Sequence, residues 1–179
     1  MKPLSLQKAE TFANTVADQL APLCLQRPFI VGSIRRKRAI CNDVDLVIIP
    51  KDKREIRARC MQKGGKLLED GNLNLIIELA TGIQLDIFYA REAEKDLFGQ
   101  ILPCTFGTLV LCRTGSKDFN IWLCREAEKK GLHWNPYQGL MKPDYLNPGK
   151  ASQFIAGETE ESIFKALDID FIKPEDRER

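Results

Sequence analysis

The stretch Val31-Gly32-Ser33-Ile34-Arg35-Arg36, followed after six residues by Asp43-Val44-Asp45, decides how this chain is read. Alternate residues of a β-strand face the same side, so Asp43 and Asp45 present two carboxylates together while Val44 points the other way. The apolar run Leu46-Val47-Ile48-Ile49 marks this strand as buried, and a third aspartate sits in a second apolar strand, Gln84-Leu85-Asp86-Ile87-Phe88. Three carboxylates packed closely repel one another unless cations lie between them, and hard divalent ions with oxygen ligands answer that need. Two such ions stabilise both the attacking and the leaving oxygen of an in-line phosphoryl displacement. Upstream, Gly32 lets backbone approach a phosphate, Ser33 offers a hydroxyl and an amide, and Arg36 adds a fork-shaped cation. An isolated Gly-Ser is usually a turn, and an isolated Asp-x-Asp is usually a solvated edge. Their combination at this spacing, with Asp86 in a distal strand, reads as a triphosphate cradle beside a two-metal nucleotidyl-transfer site.

The 179 residues, 44% of them hydrophobic, leave room for one domain or two small lobes with a real core. Net charge is only +2, yet Arg35, Arg36, Lys37 and Arg38 form one basic group and Arg125, Lys129 and Lys130 another, which suits a polyanionic partner. The six cysteines include no Cys-x-x-Cys pair and the single histidine is His133, which argues against a structural zinc site and counts against Ser-His-Asp or Cys-His catalysis. The sequence has neither a signal-peptide pattern nor an apolar run of membrane-spanning length. A soluble cytoplasmic or nuclear protein with free thiols and no membrane partner is therefore expected, with His133 as a half-buried strand residue.

Along the chain, Ser5 is expected to cap a helix running to about Leu20, with Ala9, Phe12, Ala13, Val16, Ala17 and Leu20 as its apolar stripe. Pro28 precedes a strand over 29–31, and Pro50 ends the aspartate-bearing strand. A helix over 52–63 stops at Gly64-Gly65. Strands over 66–69, 74–80 and 83–90 follow, the last two joined as a hairpin across Thr81-Gly82, giving antiparallel pairing. Helices are expected over 105–113 and 117–130, with Phe119, Leu123 and Ala127 facing the core. Short strands then run from Leu132 to about Ile155, punctuated by Pro136, Gly139, Pro143, Pro148 and Gly149. A last helix, capped by Thr159 with Ser162, extends to about Leu167, and the charged tail from Lys173 to Arg179 is expected to be mobile at its end.

Four blocks of this chain resemble the family X DNA polymerases, the polymerase beta-like group, over nearly its whole length. They are Gly32 to Arg36 with Asp43-Val44-Asp45; Gln84-Leu85-Asp86; Thr114-Gly115-Ser116-Lys117-Asp118-Phe119-Asn120; and Glu160 to Phe164 leading to Lys173-Pro174-Glu175-Asp176-Arg177. The third separates this family from nucleotidyltransferases that share only the first two. The resemblance implies an α+β fold. A nucleotidyltransferase palm with a mixed, largely antiparallel sheet and flanking helices would occupy 1–104, and a small C-terminal α/β subdomain that binds nucleotide and template would occupy 105–179.

It also implies roles for single residues. Asp43, Asp45 and Asp86 would hold two magnesium ions, with manganese as a substitute, and Asp86 would assist activation of a primer 3′-hydroxyl. Gly32, Ser33 and Arg36 would serve the β- and γ-phosphates. Cys112, Arg113, Thr114, Gly115 and Ser116 would lie around the sugar, at a bend where the family often carries a strained or cis peptide. Asn120 would reach the minor-groove edge of the incoming base. The implied activity is magnesium-dependent transfer of a nucleoside monophosphate from a dNTP to a primer or gapped-DNA 3′ end, in short-gap repair or end joining. Template-independent tailing, or transfer to RNA or a small molecule, is the alternative.

Two departures from the family pattern carry consequences. Cys112-Arg113 stands where the family often has an aromatic pair that helps exclude a ribose 2′-hydroxyl, so a weaker preference for dNTPs over NTPs is expected. Gln84 stands where many members have an arginine, removing an ion-pair partner of Asp86. The segment before Gly32 has no space for the lyase and DNA-gripping regions of larger members. A monomer that holds DNA weakly, without lyase or proofreading activity and with repair proteins as partners, is expected.

Overall fold

The computed structural model describes residues 3–62, 64–95, 97, 99, 101–143 and 152–178. Contacts divide the chain into two compact units, Met1–Ala90 and Arg91–Arg179. The segment 91–104, expected with the palm, thus counts with the second unit.

In the first unit, β1 (Leu4–Ser5) leads into α1 (Leu6–Leu20). Ser5 takes the N-cap position, but its side chain makes no capping hydrogen bond; its backbone instead pairs with Ile40 of β3 (Ile40–Cys41). A pairing of two-residue strands carries no period long enough to be read from sequence. Between these elements lie β2 (Phe29–Ile30) and the single-turn α2 (Gly32–Arg35). Then come β4 (Asp43–Ile48), α3 (Lys53–Met61), β5 (Lys66–Asp70), β6 (Asn74–Glu78) and β7 (Gln84–Tyr89). Asp52 caps α3 by accepting the Arg54 N–H.

The five strands of the main sheet run β2-β4-β7-β6-β5. β2–β4, β7–β6 and β6–β5 are antiparallel, and β4–β7 is parallel, so the sheet is mixed and largely antiparallel as expected. Alternation along β4 decides what each face does. Val44, Leu46 and Ile48 join Ala9, Ala13, Val16 and Leu20 of α1 in one buried cluster with Leu85 and Ile87. Burying each such aliphatic side chain contributes about 1.5–3 kcal/mol. Asp43 and Asp45 fall on the opposite face.

In the second unit, β8 (Glu94–Lys95) pairs with β9 (Ile101–Leu102). Two helices, α4 (Phe106–Thr114) and α5 (Lys117–Lys129), precede an antiparallel sheet of β10 (His133–Asn135), β11 (Gly139–Lys142) and β12 (Gln153–Ala156). The helix α6 (Glu160–Ala166) follows, with Thr159 and Ser162 forming a reciprocal capping box. Phe119, Leu123 and Ala127 of α5 are buried with Leu111, Trp134, Leu140, Ile163 and Phe164. Pro148 and Gly149 lie outside the described residues.

One expectation fails here: His133 lies in a strand but is exposed, because its neighbour Trp134 takes the inward position of β10. The charged tail is held as far as Arg177, which is wholly buried and pairs with Glu160 at 2.7 Å, while Arg179 at its end lies outside the described residues. All six cysteines are free thiols. Among the described residues, no helix is long and apolar enough to cross a membrane.

Candidate metal and nucleotide site

The single parallel joint of the sheet builds the carboxylate cluster. Its register sets Asp45 opposite Asp86 and Asp43 opposite Gln84. Adjacent strands lie about 4.8 Å apart, so side chains on one face of a parallel pair meet. One ligand oxygen from each of Asp43, Asp45 and Asp86 lies within 4.8 Å of the others, and all three residues are half-buried. Gln84 Nε2 donates to Asp86 Oδ1 at 2.8 Å, so a neutral amide orients this carboxylate. An all-oxygen, carboxylate-rich donor set of this kind suits a hard divalent ion.

The Gly32-Ser33 turn is fastened to the same strand. Val31 N–H donates to the Asp45 carbonyl at 3.0 Å, which brings the start of α2 against β4. Gly32 has φ +65°, and a Cβ there would overlap the Asp45 carboxylate. Both facts demand glycine: the backbone is left-handed and the approach is too close for any side chain. The Ser33 hydroxyl is buried and finds no hydrogen-bond partner. An orphaned hydroxyl on a turn packed against a carboxylate is free to bond to a ligand that the chain itself does not supply. Arg36, half-buried, closes the turn with its N–H on the Gly32 carbonyl. Asp43, Asp45 and Asp86 are thus brought together, with Gly32 packed against Asp45 and Ser33 on the same turn.

The later group assembles within the second unit. Gly115, with φ +65°, ends α4, the Gly115–Ser116 peptide is cis, and Ser116 caps α5 by accepting the Phe119 N–H at 3.3 Å. The Ser116 N–H and hydroxyl both donate to the Arg177 carbonyl, at 3.3 and 2.8 Å. Thr114 is buried. Asn120 Nδ2 donates to the Cys112 carbonyl at 2.8 Å and meets Cys112 Sγ at 3.8 Å, whereas Asn120 Oδ1 is buried without a partner. Burial pushes the Cys112 thiol up from its ordinary range, with Arg113 acting against that shift. Arg113 Nη2 donates to the Tyr137 hydroxyl at 2.8 Å, and its guanidinium lies 6.0 Å from the centre of that ring.

Three residues here were missed from sequence: Tyr137, Glu160 and Arg177. Tyr137 sits in a turn whose chemistry marks only a reversal of the chain. For Glu160 and Arg177 the sole signal was the family-like C-terminal block. The basic groups are partly neutralised by neighbours: Lys37 pairs with Glu10 at 2.6 Å and Lys129 with Glu126 at 2.7 Å.

Comparison with known proteins agrees with this geometry. The family model described as DNA polymerase beta thumb matches residues 109–178. Repair DNA polymerase X of African swine fever virus, isolate Tick/South Africa/Pretoriuskop Pr4/1996, is 29% identical over 167 residues, covering 89% of this chain and 86% of the viral protein. Its counterpart from isolate Pig/Kenya/KEN-50/1950 is 28% identical over the same shares. Among solved structures, Leishmania infantum polymerase beta in a ternary P/T complex matches with a TM-score of 0.75 at 18% identity, covering 99% of this chain and 77% of that one. The ternary gap complex of the same protein matches with a TM-score of 0.78, covering 99% and 71%. With a mixed sheet carrying the carboxylates and a segment after it that matches the polymerase beta thumb, the chain is similar to repair DNA polymerase X over most of its length and shares the fold of polymerase beta.

Proposed function

We propose that this chain is a magnesium-dependent repair polymerase that adds one nucleotide at a time from a dNTP to a DNA 3′-hydroxyl, directed by a template base. The observation that carries this reading is the orphaned Ser33 hydroxyl on a turn packed directly against the Asp43, Asp45 and Asp86 cluster. Divalent cations held by those three carboxylates would supply Lewis-acid stabilisation of the charge that develops on the transferring phosphoryl group.

The chain's own groups do the rest. The Ser33 hydroxyl donates to a phosphate oxygen, and the Arg36 fork binds the outer phosphates, together fixing the triphosphate for in-line attack. Asp86 takes the proton of the primer 3′-hydroxyl. Gln84, bonded to Asp86 Oδ1, sets the plane of that carboxylate without adding a positive charge beside it. In the second unit, the Asn120 amide, pinned to the Cys112 carbonyl, faces the minor-groove edge of the incoming base. Cys112 and Arg113 stand at the sugar in place of an aromatic pair, so NTPs enter more readily than such a pair would allow. The repair names of the viral relatives support gap filling or end joining as the setting.

Single-nucleotide incorporation on a one-nucleotide gap tests this directly. The reading expects magnesium-dependent addition of the nucleotide complementary to the template base. Equal incorporation of all four dNTPs, with or without template, would replace it with terminal transfer.

A further inference from the structure

We propose that Arg177 is a positioning residue that sets nucleotide affinity by holding the Thr114–Ser116 bend; this rests on the reading of that bend as nucleotide-binding. Charged side chains are almost never fully buried unless paired, yet Arg177 is 0% exposed. Its guanidinium is held by an ion pair, a main-chain carbonyl and three aromatic rings. Nη1 pairs with the buried Glu160 at 2.7 Å, Nε donates to the Ile172 carbonyl at 3.0 Å, and the group lies 5.2, 5.5 and 5.4 Å from the ring centres of Phe119, Phe164 and Phe171. Such stacking on three aromatic faces and a bidentate-capable fork are arginine properties that lysine lacks.

What this anchor fixes is a main-chain oxygen. The Arg177 carbonyl accepts both the N–H and the hydroxyl of Ser116. The one hydroxyl hydrogen of Ser116 therefore points to Arg177, and its oxygen accepts from Phe119, so this serine holds the bend in place from within. The start of α4 is tied to the same C-terminal segment. Gly107 and Thr108 N–H donate to the Glu158 and Gly157 carbonyls at 3.1 and 2.8 Å, and a Cβ at Gly107 would overlap the Thr159 backbone. The Glu160–Arg177 pair links these two ties, so both ends of α4 are set by one buried ion pair.

The test compares Arg177→Ala, Arg177→Lys and Glu160→Gln with Ile163→Val, a packing change in the same core away from the bend. Thermal midpoint, KM for the correct dNTP, kcat and DNA affinity are measured for each. Positioning predicts a rise in dNTP KM of about tenfold or more for Arg177→Ala, with DNA affinity within about twofold, since small misplacements of positioning groups weaken binding and rate steeply. Glu160→Gln should show a smaller rise, and Ile163→Val should lower the midpoint while leaving KM unchanged. A dNTP KM for Arg177→Ala within about twofold of the parent, or an equal rise in Ile163→Val, would overturn the inference. If Arg177→Ala does not fold, Arg177→Lys decides by the same ratio: a rise of about threefold or more supports it and a smaller change overturns it. Failure of the polymerase reading itself is distinguishable, because it would show as template-independent incorporation by the unaltered chain.

Discussion

Two glycine–serine pairs, one in each unit, do opposite things. Ser33 follows a left-handed glycine on a turn packed against a carboxylate, and its buried hydroxyl has no partner. Ser116 also follows a left-handed glycine, but its hydroxyl accepts from Phe119 and donates to Arg177. The first leaves a polar group unsatisfied, which costs stability unless a ligand supplies the partner. The second uses the same side chain to join a helix start to the chain terminus. An identical dipeptide thus leaves an open hydrogen-bonding group in one unit and makes a structural joint in the other. The hydrogen-bond partners of the two serines carry that difference.

The comparison can be broken by removing each unit's proposed ligand or partner in turn. The largest effect belongs to the first unit: stripping divalent metal with EDTA should abolish incorporation, and adding magnesium or manganese should restore it. DNA affinity measured by gel shift should change little, because phosphate contacts carry it. Next, Ser33→Ala should lower kcat/KM for the dNTP by about 10- to 100-fold, the worth of one hydrogen bond to a charged group, with the thermal midpoint of the ligand-free protein unchanged or raised. Ser116→Ala should instead lose about 1–2 kcal/mol of stability, read by denaturant unfolding, because it removes a helix cap and the tie to Arg177. If Ser33→Ala destabilises the fold as much as Ser116→Ala, the contrast between the two serines fails.

A finer prediction concerns the residues before the bend. On the proposal that Cys112-Arg113 stands at the sugar, with Arg113 held by Tyr137, the ratio of kcat/KM for dNTP over NTP should stay below about a thousandfold. A ratio in the thousands would show that another group excludes the 2′-hydroxyl. The smallest effect is expected at Thr159, whose hydroxyl accepts the Ser162 N–H at 3.1 Å. Thr159→Ala should cost about 1 kcal/mol in unfolding free energy and leave incorporation unaltered.

The sequence made the first unit far more legible than the second, for a physical reason. Asp43 and Asp45 sit two apart in a strand, a period that places both on one face whatever surrounds them. Gly32 and Ser33 announce a turn by local chemistry alone. The parallel joint that sets Asp45 beside Asp86 was not readable as such, because pairing between strands far apart in sequence depends on the intervening crossover. In the second unit, capping by Ser116 and Thr159 was visible in the residue types. The buried Arg177 was not: an arginine within Lys173-Pro174-Glu175-Asp176-Arg177-Glu178-Arg179 looks solvated until Glu160 and three aromatic rings close around it. His133 erred in the opposite sense, since the inward position of its short strand went to Trp134.

Single-nucleotide incorporation by Asp86→Ala on a one-nucleotide gap, beside its unaltered parent and with DNA binding measured in parallel, is the most direct test of the carboxylate site. Loss of incorporation by about a thousandfold or more with DNA affinity retained is the predicted result. Unchanged incorporation by that variant would contradict the assignment of Asp86, and with it the two-metal site.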